Sequence, residues 1–354
     1  MNKKVFSAMS GGVDSSVAAY LLLQAGYDVT GATMTLYQPH ATGEDSQDVL
    51  DARAVCGQLG IPHVTYHMGE AFRQGVIEDF IAVYEAGGTP NPCVVCNKRI
   101  KFGALLEAVL SDGADMMATG HYAKVGKDGR GRTLLLRGRD ESKDQSYFLW
   151  QLTEDVLSRV IFPLGDMTKP EIRELGASLH LTTAHKSDSQ DICFVPDGKY
   201  ADFIQAYTGK TPVGGHFIDE DGHVLGEHKG IIHYTIGQRK GLGIALGTPM
   251  FVVSKDAKHR TVTLSSNDKL MTRHVHLSGI NLIATDQLTQ PLRVSVKLRS
   301  THKGAWAMLE ATGDDTARLT FDEAQRGAAP GQSAVFYDGD VVVGGGVICA
   351  ESTI

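Results

Sequence analysis

The stretch Ser10-Gly11-Gly12-Val13-Asp14-Ser15-Ser16 constrains this chain more than any other, because of what flanks it. Val5 to Met9 form a short apolar run of the buried-strand kind, and Val17 to Leu23 continue as an apolar helix that Gly26 closes. A strand, a tight Gly-Gly turn and a hydroxyl-rich helix start make a nest of backbone N–H groups at the positive end of a helix. Such a nest suits phosphate or pyrophosphate. The spacing is too short for a Walker A loop, and no Gly-Lys-Ser/Thr closes it. An ordinary turn with a Ser or Asp cap is the plainer alternative, but paired glycines and repeated hydroxyls exceed what a turn needs.

Strand patterns recur at 28–34, 61–66 and 115–119, with helical patterns at 48–59 and 70–85 and a helix restarting near Asn97. This alternation predicts a parallel α/β sheet. The carboxyl end of strand 28–34 would lie beside a bound nucleotide, where Met34 packs either on the base or in the core. Residues 38–47 read as a polar connection, 124–137 as a basic hairpin, and 144–150 as the start of a helix with core aromatics. Thr168-Lys169-Pro170-Glu171 opens another helix with capping-box spacing. Past Tyr207 glycine becomes frequent and short alternating strands take over. From Arg273 the pairs Val294/Val296, Leu319/Phe321 and Val335/Phe336 suggest a small β-barrel. The expected organisation is a parallel-sheet domain at 1–207, a small central domain at 208–272 and a C-terminal β-barrel at 273–354.

The loop Ser10 to Ser16 resembles the PP-loop of the ATP pyrophosphatases, which split ATP between the α- and β-phosphates to adenylate a substrate. That superfamily spans several substrate classes, so the loop alone implies activation chemistry and leaves the substrate open. No run approaches the ~18–20 apolar residues of a membrane span. The basic start Met1 to Val5 runs straight into the glycine loop and does not read as a signal peptide, so a cytoplasmic enzyme is expected. The net charge is −7, yet seven Lys/Arg against three acids lie between His121 and Lys143. Arg239-Lys240 and the series Arg293, Lys297, Arg299 and Lys303 form smaller groups. Each cluster is either a solvated face or a local nucleic-acid contact.

Five cysteines in such a chain argue against a disulfide framework. Cys56 and Cys349 fall in apolar patterns and read as core. Cys93, Cys96 and Cys193 fall in polar, loop-like stretches. Cys93 and Cys96 have metal-ligand spacing, but no second pair completes a zinc site, so no metal site is expected. His63 and His67 read as local structure. An iron–sulfur cluster on Cys93, Cys96 and Cys193 is permitted by thiolate ligation but is not favoured. The favoured reading is a pair of reactive thiols, Cys96 and Cys193, beside the ATP loop. Cys96 is expected near a helix start with Lys98 and Arg99 close by, which would lower its pKa.

Five further motifs occur in order: Asn91-Pro92-Cys93 with Cys96-Asn97-Lys98-Arg99-Ile100-Lys101-Phe102; Thr119-Gly120-His121-Tyr122; Lys143-Asp144-Gln145-Ser146-Tyr147-Phe148-Leu149; Ser189-Gln190-Asp191-Ile192-Cys193-Phe194; and Gly237-Gln238-Arg239-Lys240-Gly241-Leu242-Gly243. Together with the PP-loop they are similar to the bacterial tRNA-specific 2-thiouridylases over nearly the whole chain. The resemblance implies that Ala8, Met9, Ser10, Gly11, Gly12, Val13, Asp14 and Ser15 hold the phosphates of ATP with Mg2+. Met34 and Gly120 would contact the nucleotide. The enzyme would adenylate the C2 oxygen of a wobble uridine in tRNAs for Lys, Glu and Gln. Cys193 would carry a persulfide from a cysteine desulfurase or relay protein, with Cys96 as nucleophile and a Cys96–Cys193 disulfide left for reduction. Asn91, Pro92 and Cys93 would touch the target base, and His121, Lys143, Asp144, Gln145, Arg299, Ser300 and Gln332 the tRNA. Cys93 departs from relatives that carry Asp there, so an acid/base role at that position does not transfer. A PP-loop ligase, which needs no cysteines, and an RNA-binding protein with a vestigial loop are the alternatives.

Overall fold

A five-stranded parallel sheet carries the first half of the chain in a computed structural model that describes residues 2–37, 46–184, 186, 192–195, 197–245 and 247–350. Most of the polar connection expected at 38–47, and Ser189-Gln190-Asp191, lie outside the described residues. The strands are β1 (Lys4–Ala8), β2 (Asp28–Thr35), β3 (His63–His67), β4 (Met116–Thr119) and, after a hairpin β5 (Ala123–Lys127) and β6 (Thr133–Arg137), β7 (Val160–Ile161). Their order is β3-β2-β1-β4-β7. Placing β1 centrally puts the Ala8 end, and the loop after it, at the reversal of strand order, where open α/β sheets bind ligands.

Helices α1 (Val13–Gln24), α2 (Gln47–Leu59), α3 (residues 69–85) and α4 (residues 92–111) pack on the sheet. Val5, Phe6, Ala32, Met117 and Ala118 are fully or almost fully buried between the layers. Both α3 and α4 contain π-type stretches, Arg73–Ile77 and Asn97–Leu105, a distortion found often at functional sites. The helix expected at 144–150 is instead one 3-10 turn, Ser146–Leu149, although Tyr147 and Trp150 are buried as expected. Helices α5 (Glu154–Ser158), α6 (Lys169–Ser178, opened by the expected Thr168–Glu171 capping box) and α7 (Tyr200–Thr208) complete the first half.

Four short strands follow, β8 (Gly215–Ile218), β9 (Val224–His228), β10 (Phe251–Asp256) and β11 (Thr261–Ser265), in the order β10-β11-β8-β9 around Phe217, Val252, Val262 and Leu264. The remaining strands are β12 (Met271–Leu282), β13 (Leu292–Lys297), β14 (Ala305–Gly313), β15 (Thr316–Arg326), β16 (Ser333–Asp338) and β17 (Val341–Ile348). They pair β12-β15-β14-β13-β16-β17, and β17 returns to β12, closing a barrel without free edges. Val294, Val296, Leu319, Phe321, Ala334 and Phe336 fill it, as alternation along each strand dictates. The hairpin β5–β6 adds to this sheet, with Leu136 of β6 opposite Val341 of β17. One core cluster accordingly contains Leu149 and Trp150 together with Val335, Tyr337 and Val342. At Gly345 any Cβ would stand 2.6 Å from the Trp150 ring, so glycine is required there.

Candidate active site

The loop between β1 and α1 is shaped by two glycines and two serines. Gly12 caps α1 in an extended conformation, and Gly11 lies in the left-handed region at φ +70°. A Cβ on Gly11 would also meet the Asp48 carbonyl oxygen of α2 at 2.7 Å, so glycine is required twice over. Ser15 Oγ accepts from the Ser10 amide at 3.1 Å and donates to the Gly12 carbonyl at 3.1 Å; Ser16 Oγ donates to the same carbonyl at 2.9 Å. The hydroxyls thus fix the loop, while the first-turn amides of α1, which have no intrahelical partners, stand at the wall of a cleft.

Asp14 is held from two sides. Lys169 Nζ lies 2.7 and 2.8 Å from its two carboxylate oxygens, and the Tyr122 hydroxyl donates to it at 2.7 Å. Lys169 is buried at the start of α6, its amide donating to Asp140 Oδ2 at 2.9 Å beside the Thr168–Glu171 capping box. Gly120 faces the same turn: a Cβ there would lie 3.0 Å from the Asp14 carbonyl carbon and the Ser15 nitrogen. Met34 is half-buried, packing on the core while lining the cleft.

The cleft encloses about 2050 Å³ and runs from this loop past the thiols to the barrel. Ala8, Met9, Ser10, Gly12, Val13, Asp14, Ser15, Met34 and Gly120 line one end; Pro92, Cys93, Cys96 and Cys193 line its side. Lys143, Asp144, Gln145, His121 and Ser300 line the remainder. Gly11, Asn91, Arg299 and Gln332 are not among its lining residues. Eight Lys/Arg against six Asp/Glu surround it, reversing the sign of the chain's net charge where a polyanion could enter. A shallower depression of about 770 Å³ at residues 239–250 touches neither loop nor thiols.

Cys96 does not sit where the sequence suggested. The helix starts at Pro92, in the first turn that proline favours, capped by Asn91, whose Oδ1 accepts from the Val94 amide at 3.5 Å. Cys96 is therefore beyond the first turn, where the dipole has faded. Lys98 and Arg99 are exposed, and Arg99 pairs with Asp79 at 3.2 Å and the Gly75 carbonyl at 2.8 Å. Burial pushes the Cys96 thiol up to about 11, Cys193 and Cys93 add to the rise, and only Lys101 opposes it. The expected acidified thiol is overturned: the resting group is a protonated thiol. Cys93 and Cys193 have exposed residues but lie against the cleft wall, and desolvation raises both thiols while Lys101 again opposes. Phe194 anchors Cys193 by edge or tilted contacts with Phe72, Phe80 and Phe203 at 5.6, 5.2 and 5.3 Å.

The three sulfurs do not form a compact ligand set. Among the described residues, the group with ligating atoms all within 4.8 Å is Asp219, Asp221 and His223, in the turn between β8 and β9.

Several residues assigned to tRNA have structural partners. His121 is buried, its Nδ1 2.6 Å from Thr119 Oγ1 and its ring 5.6 and 6.0 Å from those of Phe102 and Phe162; burial holds it neutral, well below the usual histidine range. The Asp144 side chain is buried and accepts from the Gly138 and Ser146 amides, both at 3.1 Å, with Arg137 and Lys297 at 3.6 and 3.9 Å. Gln145 Oε1 accepts from the Tyr122 amide at 3.0 Å. Arg299 is exposed and reaches the Arg326 carbonyl at 3.5 Å. Gln332 Nε2 donates to the Thr89 and Pro90 carbonyls at 3.1 and 2.9 Å.

Sequence reasoning missed Lys101 and Lys169. Lys101 stands five residues after Cys96, off its face in a regular α-helix; the two line one cleft with Lys101 on the π-type stretch Asn97–Leu105, so the spacing offered no usable signal. No sequence signal joins Lys169 to Asp14, 155 residues away.

Comparison with known proteins follows this layout. Residues 3–197 match the tRNA methyl transferase HUP domain, 201–266 the tRNA methyl transferase PRC-barrel domain and 272–348 the aminomethyltransferase β-barrel domain. The tRNA-specific 2-thiouridylase MnmA of Clostridioides difficile is 46% identical over 98% of both chains. Its namesake in Lachnoclostridium phytofermentans is 45% identical over 98% of this chain and 99% of that one, and the one in Treponema denticola 46% over 98% and 97%. A solved 4-thiouridine synthetase–RNA complex with bound ATP is similar only at a TM-score of 0.35 and 18% identity, over 58% of this chain and 50% of that one, which is too slight to carry an argument. With three domain models matched in order and relatives alike over nearly its full length, the chain belongs to the family of tRNA-specific 2-thiouridylases.

Proposed function

We propose that this protein is an ATP-dependent tRNA-uridine 2-sulfurtransferase acting on the wobble uridine of tRNAs for Lys, Glu and Gln. The observation that carries the reading is that Cys96 and Cys193 line the same cleft as the Ser10–Ser16 loop. The domain models carry methyltransferase names, but a pair of thiols beside a pyrophosphate loop supplies what sulfur transfer needs.

In the first step the uridine C2 oxygen attacks the α-phosphorus of ATP. An O–P bond forms, the Pα–O–Pβ bridge breaks, and pyrophosphate leaves into the amides of residues 12–15. Magnesium would arrive with the nucleotide: the nearby carboxylates Asp14 and Asp48 are each already bridged to a lysine, Lys169 and Lys186, and hard cations take phosphate oxygens readily. It would offset phosphate charge during displacement.

Cys193 carries a persulfide received from a protein persulfide donor. The Cys96 thiolate attacks the Cys193 sulfur, the S–S bond of the persulfide breaks, and the outer sulfur leaves as sulfide. Sulfide adds at C2, AMP departs with the former C2 oxygen, and C2 becomes a thione. The electron pair that reduces the sulfur comes from the two cysteines, left as a Cys96–Cys193 disulfide that an external dithiol must reduce. Asn91, Pro92 and Cys93 would border the base, and the basic cleft wall would hold the anticodon loop with the uridine unstacked. A tRNA substrate is the support for reading it as an enzyme of the cytoplasm.

Incubation with ATP, unmodified tRNA and a sulfide or persulfide source, followed by mass spectrometry of the nucleosides, tests the reading. It expects 2-thiouridine with wild type, and none with Cys96→Ser or Cys193→Ser at retained tRNA-dependent pyrophosphate release. Thiolation by both variants refutes the two-thiol scheme. Iron-dependent absorbance after anaerobic preparation would replace it with a cluster on the same thiols.

A further inference from the structure

The four residues before the Cys93 helix are gripped by both other parts of the chain. From the central sheet, Lys255 Nζ on β10 donates to the Gly88 carbonyl at 3.3 Å and to the Tyr234 carbonyl at 2.8 Å. The ammonium also lies 5.8 Å from the centre of the Tyr84 ring, which stacks on Tyr200 at 4.6 Å. From the barrel, the Thr89 amide donates to the Pro330 carbonyl at 2.7 Å, and Gln332 Nε2 donates to both Thr89 and Pro90 carbonyls. Gly87 takes φ +85°, and a Cβ at Gly88 would meet the Pro330 oxygen at 3.2 Å, so the close approach depends on glycine.

This loop runs without a break into Asn91, which caps α4, and the helix reaches Cys96 before completing its second turn. Prolines at 90 and 92 remove backbone freedom between the clamp and the helix. A displacement at residues 88–90 is therefore passed to α4 rather than absorbed. We propose that Lys255 and Gln332 are positioning residues that set where Cys96 stands in the cleft, acting through the carbonyls of Gly88, Thr89 and Pro90. Neither touches the reacting atoms. Gln332 thereby takes a role other than the tRNA contact that family resemblance implied. The functional side of this inference rests on the proposed sulfurtransferase reading; its geometric side does not.

The test is the alkylation rate of each cysteine in the full chain, free of substrates, followed by peptide mass spectrometry. Cys56, buried on α2 against β2, reports any general loosening. In Lys255→Met and Gln332→Leu, alkylation of Cys96 should accelerate about tenfold with Cys56 unchanged, because local opening is separable from global unfolding. An unchanged Cys96 rate, or Cys56 and Cys96 rising together, overturns the proposal; should one variant fail to fold, the other carries the test. With substrates, each variant should lose about tenfold in thiouridine per pyrophosphate released. A Gln332→Leu effect confined to KM for tRNA overturns its positioning role, whereas absence of thiolation by wild type sinks the sulfurtransferase reading and leaves the alkylation result standing.

Discussion

Cys96 should be a slow thiol until something activates it. Burial moves its pKa from about 9 to about 11. Two units correspond to about 2.7 kcal/mol, and at pH 7.5 they lower the thiolate fraction from about 3% to about 0.03%. Alkylation by iodoacetamide should accordingly run about a hundredfold slower than for a solvated thiol, and rise close to tenfold per pH unit from 7 to 9.5. Lys101 provides the opposing attraction, so Lys101→Met should slow the reaction by about another tenfold at pH 7.5. Stopped-flow alkylation with mass-spectrometric assignment of Cys96 reads both effects. A Cys96 rate equal to that of a free thiol at pH 7.5, or no change in Lys101→Met, would refute burial and Lys101 as what controls this thiol. Under the proposed mechanism sulfur transfer gains from this arrangement: a thiol protonated at rest is protected from stray oxidation, and its reaction waits for substrate to bring a base or a positive field.

Other consequences are open to simpler measurements. His121 is held neutral when folded but takes a proton when unfolded below about pH 6.5. The unfolded state then binds more protons, so this group's share of stability is present above pH 6.5 and lost as pH falls. His121→Phe, which keeps the ring contacts, should flatten the dependence of the urea midpoint between pH 7.5 and 5.5; an identical slope in both proteins contradicts the neutral ring. Gly120→Ala places a carbon 3.0 Å from the first turn of α1 and should raise the KM for ATP at least about tenfold while leaving the fold intact by circular dichroism. Phe194→Ala removes the aromatic anchor of the Cys193 segment and should lower thiolation without lowering pyrophosphate release, with about 3 kcal/mol lost from stability.

The local features were legible because they depend on short-range rules. The nest at Ser10 to Ser16, the capping box at Thr168 and the barrel alternation at Val294/Val296 all declare themselves within a few residues. The loop-like stretch at Asn91-Pro92 misled: the helix expected to restart near Asn97 begins at Pro92, since proline suits the first helical turn, and the earlier start removes Cys96 from the dipole. Burial could not be read at Cys96 or His121, since it is decided by partners on β4, α3 and the segment carrying Cys193. Nor could the Lys169–Asp14 contact, because the topology alone brings α6 beside α1. Asp144, in a recognisable motif, and Gln332, singled out by family resemblance alone, bond the protein's own backbone.

The hairpin β5–β6 has a consequence for how this enzyme can be taken apart. Arg137 donates its amide to Asp340 and sets its guanidinium 3.6 Å over the Tyr337 ring, while Tyr147 and Asn281 bond across in opposite directions. A cut between the N-terminal half and the barrel would strip a strand from its neighbour and open the Trp150 contact to water. The N-terminal fragment would be left with a sticky edge, not with a minimal adenylating enzyme. Calorimetry should find these two parts melting in a single transition. Evolution faces the same obstacle, since a barrel so stitched in can be altered residue by residue but not exchanged.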